Sequence, residues 1–113
     1  LFNNTSESVV RFNLPHADRA IFKKGYFPDT AVDMDENFAL VSIDADLYQP
    51  VYEGMKYFYP RLSSGGCIIV HDYNNAQFKG AGEAVRRYCR EQMIFPVPLC
   101  DLHGSAVIVK QQR

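Results

Sequence analysis

The sequence predicts an α/β fold in which a doubly wound parallel sheet ends in an antiparallel edge. Two short apolar runs lack polar alternation, which is typical of parallel strands with both faces covered. A segment with helical spacing of apolar residues follows each run, and alternating strands and helices are typical of doubly wound sheets. The 113 residues form at most one domain, and 47% of them are hydrophobic, enough to build a core.

The first third of the chain contains short elements. The turn-forming run Asn3 to Ser6 predicts the start of a short helix over Glu7 to Phe12. Ala20 to Lys24 is a candidate strand that ends at Gly25. The apolar run Phe38 to Ile43 is the first of the two strands predicted to be buried on both faces.

A helix is predicted directly after this strand. Asp46 can cap it, and Gln49 three residues later completes a capping box. Pro50 falls in the first turn, where its missing N–H has no consequence. The apolar positions that recur at helical spacing are Val51, Met55, Phe58 and Leu62. The run Ser63 to Gly66 predicts a turn that ends this element.

The remaining elements complete the alternating order. Cys67 to Val70 is the second buried strand, and Gly80 to Met93 is the next amphipathic helix. One side of that helix is interpreted as a solvated face without function, and it carries Arg86, Arg87 and Arg90. Phe95 to Cys100 and Ala106 to Lys110 predict an antiparallel hairpin, with Gly104 suited to the reversal.

Composition excludes several classes of partner. The net charge of −1 and the absence of a basic stripe argue against nucleic acid. The apolar runs are strand-sized, so no membrane span is predicted. Three irregularly spaced cysteines form no CxxC pair, and we interpret them as buried thiols of a cytoplasmic protein.

Polar residues follow both predicted buried strands. Asp44 and Asp46 come after the first strand, and His71 and Asp72 come after the second. If the two strands are neighbours, they lie about 5 Å apart and these side chains converge. Close carboxylates repel unless a cation compensates, so Asp44, His71 and Asp72 are predicted to hold a divalent metal. Asp46 is more typical of a helix cap.

The segment Phe38 to Tyr73, FALVSIDADLYQPVYEGMKYFYPRLSSGGCIIVHDY, resembles the macrocin O-methyltransferase (TylF-like) family. That family shows a strand ending in Asp-small-Asp-Leu-Tyr, a Tyr-Pro-x-Leu-x-x-Gly-Gly turn, and a strand ending in Asp-Asp-Tyr. Phe2 to Thr5 and Lys24 to Thr30 also resemble family segments. The resemblance extends from Phe2 to Lys110.

The resemblance implies a fold and a reaction. The fold would be the Rossmann-like class I methyltransferase sheet, of which this chain would supply the third to seventh strands. The reaction would be metal-assisted transfer of a methyl group from S-adenosylmethionine to a hydroxyl of a sugar or another small natural product. Asp44 and Asp72 would be the catalytic residues and would hold magnesium together with His71.

The resemblance also assigns the cofactor pocket. Gly25 and Tyr26 would line the adenosine site, and Asp46 and Tyr48 would form the wall beside it. The family pattern has Asp at the position of His71, and imidazole suits softer ions than magnesium, so another divalent metal is also expected to fit. The Gly-rich turn and the ribose-binding acidic residue are expected to precede Leu1. The chain is therefore interpreted as the C-terminal part of one methyltransferase domain, inactive by itself.

Three further expectations remain. The resemblance implies that the strand beside 38–43 precedes Leu1, so 38–43 becomes an apolar edge, which favours self-association or pairing with Ala20 to Lys24. One alternative function is a metal-dependent phosphatase-like hydrolase with Asp44 and Asp46 as nucleophile and acid, although no hydroxyl residue or lysine follows in the expected places. The other alternative is a non-catalytic remnant or interaction module that keeps the fold.

Overall fold

The computed structural model describes residues 6–31, 34–77, 79–102 and 104–111. The chain divides into two compact units, Leu1–Asp33 and Met34–Arg113. None of the helices in the described ranges has the length and hydrophobicity needed to cross a bilayer.

The first unit contains helix α1, Glu7–Asn13, and two 3₁₀ turns, Ala17–Arg19 and Asp29–Ala31. The predicted helix start is confirmed at Ser6, whose hydroxyl accepts the N–H of Val9 at 3.3 Å. Residues 3–5 of the predicted cap lie outside the described residues.

The predicted strand Ala20 to Lys24 is wrong, because residues 20–24 form no strand. Strand backbone needs a hydrogen-bonded neighbour. None of the strands in the described ranges pairs with this segment.

The second unit is a four-stranded mixed sheet in the order β1-β2-β4-β3. Strands β1 (Phe38–Ile43) and β2 (Leu62–Val70) are parallel, whereas β4 (Ala106–Val109) is antiparallel to both β2 and β3 (Val97–Pro98). The predicted parallel pair and the antiparallel hairpin are thereby confirmed. β3 is shorter than predicted because Pro98 has no N–H for a ladder and is tolerated at a sheet edge.

Helices α2 (Tyr48–Phe58) and α3 (Gly80–Gln92) connect the strands. The prediction that the first of these helices continues to Leu62 is wrong, since a 3₁₀ turn at Tyr59–Arg61 follows α2 and Leu62 begins β2. Pro60 explains this end, because its ring cannot continue an α-helix. The predicted turn at Ser63 to Gly66 instead lies within β2 as an irregular stretch, where β2 holds extra residues opposite β1.

One face of the sheet packs against both helices. The core unites Val51 and Met55 of α2 and Val85 of α3 with buried strand residues, which are Val41, Ile43, Ile68, Val70, Ala106 and Ile108. The opposite face is open, with Leu40 62% exposed. The expectation that β1 is covered on both faces is therefore wrong, because α2 and α3 both contribute to the same core.

All three cysteines are free. Cys89 is buried, and burial raises the pKa of its thiol to about 11. Cys67 is half-buried and Cys100 is exposed, so the interpretation of all three as buried thiols is wrong for Cys100. Cys100 lies in the connection after β3 and not in a packed strand.

Two neighbouring isoleucines on β2 test whether the core covers only one face of the sheet. Ile68 is fully buried, whereas Ile69 is half-buried on the opposite face. Ile68→Ala is expected to lower the free energy of unfolding by about 2–5 kcal/mol, the usual cost of emptying a core position. Ile69→Ala, as the matched control, is expected to cost clearly less. Chemical denaturation measures both, and equal losses would show that the second face is covered too.

Candidate functional site

Three carboxylates meet where β1 and β2 end. Asp44 directly follows β1, Asp46 lies two residues later, and Asp72 lies two residues after β2. Their oxygens lie within 4.8 Å of one another. In the described part of the chain this acidic group is the only set of three or more potential His, Cys, Asp or Glu ligands that come this close.

The pairing of the strands brings the group together. Ile43 pairs with Val70 in the parallel register, and the N–H of His71 donates to the Ile43 carbonyl at 2.9 Å. This bond extends the pairing beyond the last strand residues. Asp44 and Asp72 therefore lie at the carboxyl ends of neighbouring parallel strands, where α/β folds bind ligands.

The backbone at two of the three residues is unusual. Asp46 has a φ of 62° and Asp72 a φ of 60°, in the left-handed region that residues other than glycine seldom adopt. A tight turn surrounds Asp46, because the N–H of Leu47 donates to the Ala45 carbonyl at 2.6 Å. Sparsely populated conformations of this kind concentrate at functional sites.

Side-chain and backbone bonds hold Asp72 in its turn. The Asn75 side-chain amide donates to Asp72 Oδ1 at 3.4 Å, and the Asn75 N–H donates to the Asp72 carbonyl at 3.3 Å. The Asn74 N–H donates to the Gly104 carbonyl at 2.9 Å. The loop after β2 is thus fastened to the loop before β4.

Negative charge is concentrated in the group. A hydrogen bond with Asp72 raises the pKa of Asp46, and slight desolvation and the charges of Asp72 and Asp44 raise it further. Asp46 thus keeps its proton more readily than an isolated carboxyl group would. A hard divalent cation coordinated by oxygen would relieve the same repulsion, so the residues fit such an ion.

His71 does not belong to the acidic group. Its Nε2 lies 2.9 Å from the Ser42 hydroxyl on the neighbouring strand. The structure therefore joins only two members of the predicted ligand set, Asp44 and Asp72, and Asp46 occupies the third place.

Asp46 is not the helix cap. The residue at the N-cap of α2 is Leu47, and no side chain caps this helix. An N-cap residue normally has extended backbone, which the left-handed φ of Asp46 excludes. The predicted capping box is therefore wrong, and Gln49 instead donates to Glu53 at 2.9 Å.

Tyr48 is the first residue of α2, and its hydroxyl accepts a hydrogen bond from Arg87 at 2.9 Å. Arg87 also pairs with Glu91 at 3.0 Å. The arginine face of this helix was interpreted as solvated and without function, and sequence reasoning missed the contact between Arg87 and Tyr48. The spacing of Arg87 and Glu91 on one helix predicts their ion pair, but no pattern in the sequence indicates that Arg87 reaches Tyr48.

Gly25 and Tyr26 lie in the first unit. Gly25 has a φ of 139°, and a Cβ atom there would lie 2.9 Å from the Thr30 side chain, so the position requires glycine. Tyr26 is 87% exposed, and its carbonyl accepts the N–H of Thr30 at 3.1 Å. Their role at the cofactor stays a prediction.

Sequence comparison identifies relatives of this chain. A family model described as macrocin-O-methyltransferase (TylF) matches residues 3–111. Demethyldecarbamoylnovobiocin O-methyltransferase of Streptomyces niveus is 34% identical over 73 residues, which are 60% of this chain and 28% of that protein. The 8-demethyl-8-(2,3-dimethoxy-alpha-L-rhamnosyl)-tetracenomycin-C 4'-O-methyltransferase of Streptomyces olivaceus is 30% identical over 91 residues, 80% of this chain and 33% of that protein. The matched regions thus span about a third of the relatives' length.

Solved structures share the fold. The O-methyltransferase NovP superposes with a TM-score of 0.60 at 23% identity, covering 68% of this chain and 31% of NovP. CalS11, a TDP-rhamnose 3'-O-methyltransferase of calicheamicin biosynthesis, gives a TM-score of 0.54 at 22% identity over 65% of this chain and 32% of CalS11. Because the family model matches nearly the whole sequence, this chain belongs to the macrocin-O-methyltransferase (TylF) family.

Proposed function

We propose that the protein containing this chain transfers a methyl group from S-adenosylmethionine to a hydroxyl of a sugar or another small natural product, with help from a divalent cation. The observation that carries the proposal is the acidic group of Asp44, Asp46 and Asp72 at the carboxyl ends of β1 and β2 in a chain of this family. The names of both curated relatives support the acceptor class, since each describes an O-methyltransferase for a natural product.

The acidic group supplies the binding site for the cation. Asp44, Asp46 and Asp72 offer only oxygen donors, which favour magnesium or a similarly hard ion over zinc. A cation held there would lower the pKa of the acceptor hydroxyl and orient its oxygen. A carboxylate oxygen of the group can then take the hydroxyl proton. S-adenosylmethionine, when bound, would supply the methyl group: the acceptor oxygen would bond to the methyl carbon, and S-adenosylhomocysteine would leave as the carbon–sulfur bond breaks.

The remaining predicted site residues complete the proposal. Gly25 and Tyr26 would contact the adenosine, and Tyr48 would form the wall beside it together with Asp46. Strands β1, β2, β4 and β3 would correspond to the fourth, fifth, seventh and sixth strands of the class I methyltransferase order. The observed neighbour relations support that assignment.

Measurements of metal affinity distinguish the acidic group from the ligand set predicted by sequence, which has His71 in place of Asp46. Asp46→Asn should weaken Mn²⁺ binding by more than about 10-fold, because even the loss of a partner outside the ligand shell costs that much. His71→Ala, as the control, should bind Mn²⁺ nearly as well as the unmodified protein. Isothermal titration of the full-length protein at pH 7 provides both values. The reverse ranking would place the site at His71.

The same site predicts a pH dependence. The raised pKa of Asp46 means that this carboxyl keeps its proton to a higher pH than usual, and a cation must displace that proton. Mg²⁺ should therefore raise the melting temperature more at pH 7 than at pH 5, since ligand binding stabilises the folded state. Thermal scans at both pH values test this, and an equal shift would argue against a carboxylate site.

Catalysis should depend on Asp44. Removal of divalent metal with EDTA should stop methyl transfer, and added Mg²⁺ should restore it. Asp44→Asn should lower kcat/KM by at least about 100-fold, in line with the several kcal/mol that a bound cation contributes. Formation of S-adenosylhomocysteine measures the rate. Full activity of Asp44→Asn in EDTA would show that transfer proceeds without the cation.

We also propose that β1 associates with a second copy of the chain. Among the described strands β1 pairs only with β2, so its outer edge has no partner in the sheet. An unpaired apolar edge recruits another strand, and lysine on an edge prevents this. Leu40→Lys should shift the chain toward monomer in light scattering, whereas Leu102→Lys in the fully exposed loop should not. A wild-type monomer at all concentrations would refute the proposal.

A further inference from the structure

A closed set of contacts joins the first turns of α2 to α3. Arg87 donates from Nε to Glu91 at 3.0 Å and from a terminal nitrogen to the Tyr48 hydroxyl at 2.9 Å. The Tyr52 hydroxyl donates to the other Glu91 oxygen at 2.6 Å, and the Tyr48 and Tyr52 rings stack at 6.1 Å.

An ordinary helix-surface ion pair does not account for this arrangement. Arg11 and Glu7 of α1 form an equivalent pair at 2.9 Å, with side-chain exposures of 44% and 42% against 45% and 40% for Arg87 and Glu91. Both arginines also lie over an aromatic ring, at 4.2 Å for Arg11 and 4.1 Å for Arg87. Exposed pairs of this kind stabilise a helix weakly. The distinguishing feature of Arg87 is its hydrogen bond to Tyr48 on another helix.

Tyr48 sits where movement would reach the acidic group. It is the first residue of α2, and only Leu47 separates it from Asp46. No side chain caps α2, so contacts from α3 can add to what holds this helix start. Gly80 packs so closely that a Cβ atom there would lie 2.8 Å from the Tyr48 backbone nitrogen. α3 thus holds the backbone of Tyr48 through Gly80 and its hydroxyl through Arg87.

We propose that Arg87, oriented by Glu91, is a positioning residue for the acidic group: by holding the Tyr48 hydroxyl it sets the start of α2 and therefore the place of Asp46. Metal sites tolerate only small displacements of their donors, and residues that orient ligands alter affinity without touching the ion. The inference rests on the proposed function for the identity of the bound ion.

The direction in which cation affinity changes on removal of Arg87 separates a positioning role from a purely electrostatic one. Removal of a positive charge near an acidic group should by itself strengthen the binding of a cation. Positioning predicts the opposite result, a weaker site. Arg87→Lys separates the two further, because lysine keeps the charge but cannot bind Glu91 and Tyr48 with one rigid planar group.

The experiment is Mn²⁺ titration of the full-length protein by electron paramagnetic resonance. Arg87→Met and Tyr48→Phe should each raise the dissociation constant by about 10-fold, the lower end of the effect of residues that orient ligands. The double variant should be no weaker than either single variant, because both changes break one contact. Arg87→Lys should not restore binding, and Arg11→Met should behave as wild type.

Each outcome supports or overturns the positioning role of Arg87. Unchanged or tighter Mn²⁺ binding by Arg87→Met overturns the positioning role, as does simple addition of the two single effects. If the wild-type protein binds no Mn²⁺ but methylates, the proposed metal assistance fails, and kinetics then decide. A lower kcat for Arg87→Met, with an unchanged KM for S-adenosylmethionine and with Arg11→Met unaffected, supports positioning of Asp46, and an unchanged kcat overturns it.

Discussion

The parallel pairing of β1 with β2 is the constraint on which the rest of the structure depends. The register that sets Ile43 beside Val70 also places the apolar side chains of both strands on the face that packs against α2 and α3. A shift of either strand by one residue would turn the apolar side chains of that strand to the other face of the sheet. The same register fixes where the strands end, and so it brings Asp44 and Asp72 together. The core and the acidic group are therefore two consequences of one pairing.

The acidic group is locally unfavourable, and the core must compensate for it. Two of its residues, Asp46 and Asp72, adopt left-handed backbone, and the pKa of Asp46 is raised by its carboxylate neighbours. Proteins tolerate such conflicts mainly where function requires them. The fully buried side chains of Val51, Met55 and Ile68 lie in the adjoining core, whose stability holds the strand ends in this arrangement.

Features encoded by local patterns could be predicted from the sequence. The apolar runs predicted β1 and β2, helical spacing predicted α2 and α3, and acidic residues after both strands predicted that carboxylates meet at the strand ends. Features that depend on the sign of a backbone angle or on packing between helices could not. Nothing in the sequence indicates that Asp46 is left-handed and thus free of the cap, or that Arg87 on α3 reaches Tyr48 on α2. The exposure of Leu40 also depends on which face the helices cover.

His71 shows that a residue can depart from the family's sequence pattern without changing the donor atoms of the acidic group. The family resemblance predicts Asp there, and a nitrogen ligand would have favoured softer metals. In the structure, His71 bonds to Ser42 and the acidic group retains three carboxylates through Asp46. A carboxylate at position 71 would place a further negative charge beside a group in which repulsion already raises a pKa. The imidazole avoids that repulsion and leaves the acidic group with carboxylate oxygens only.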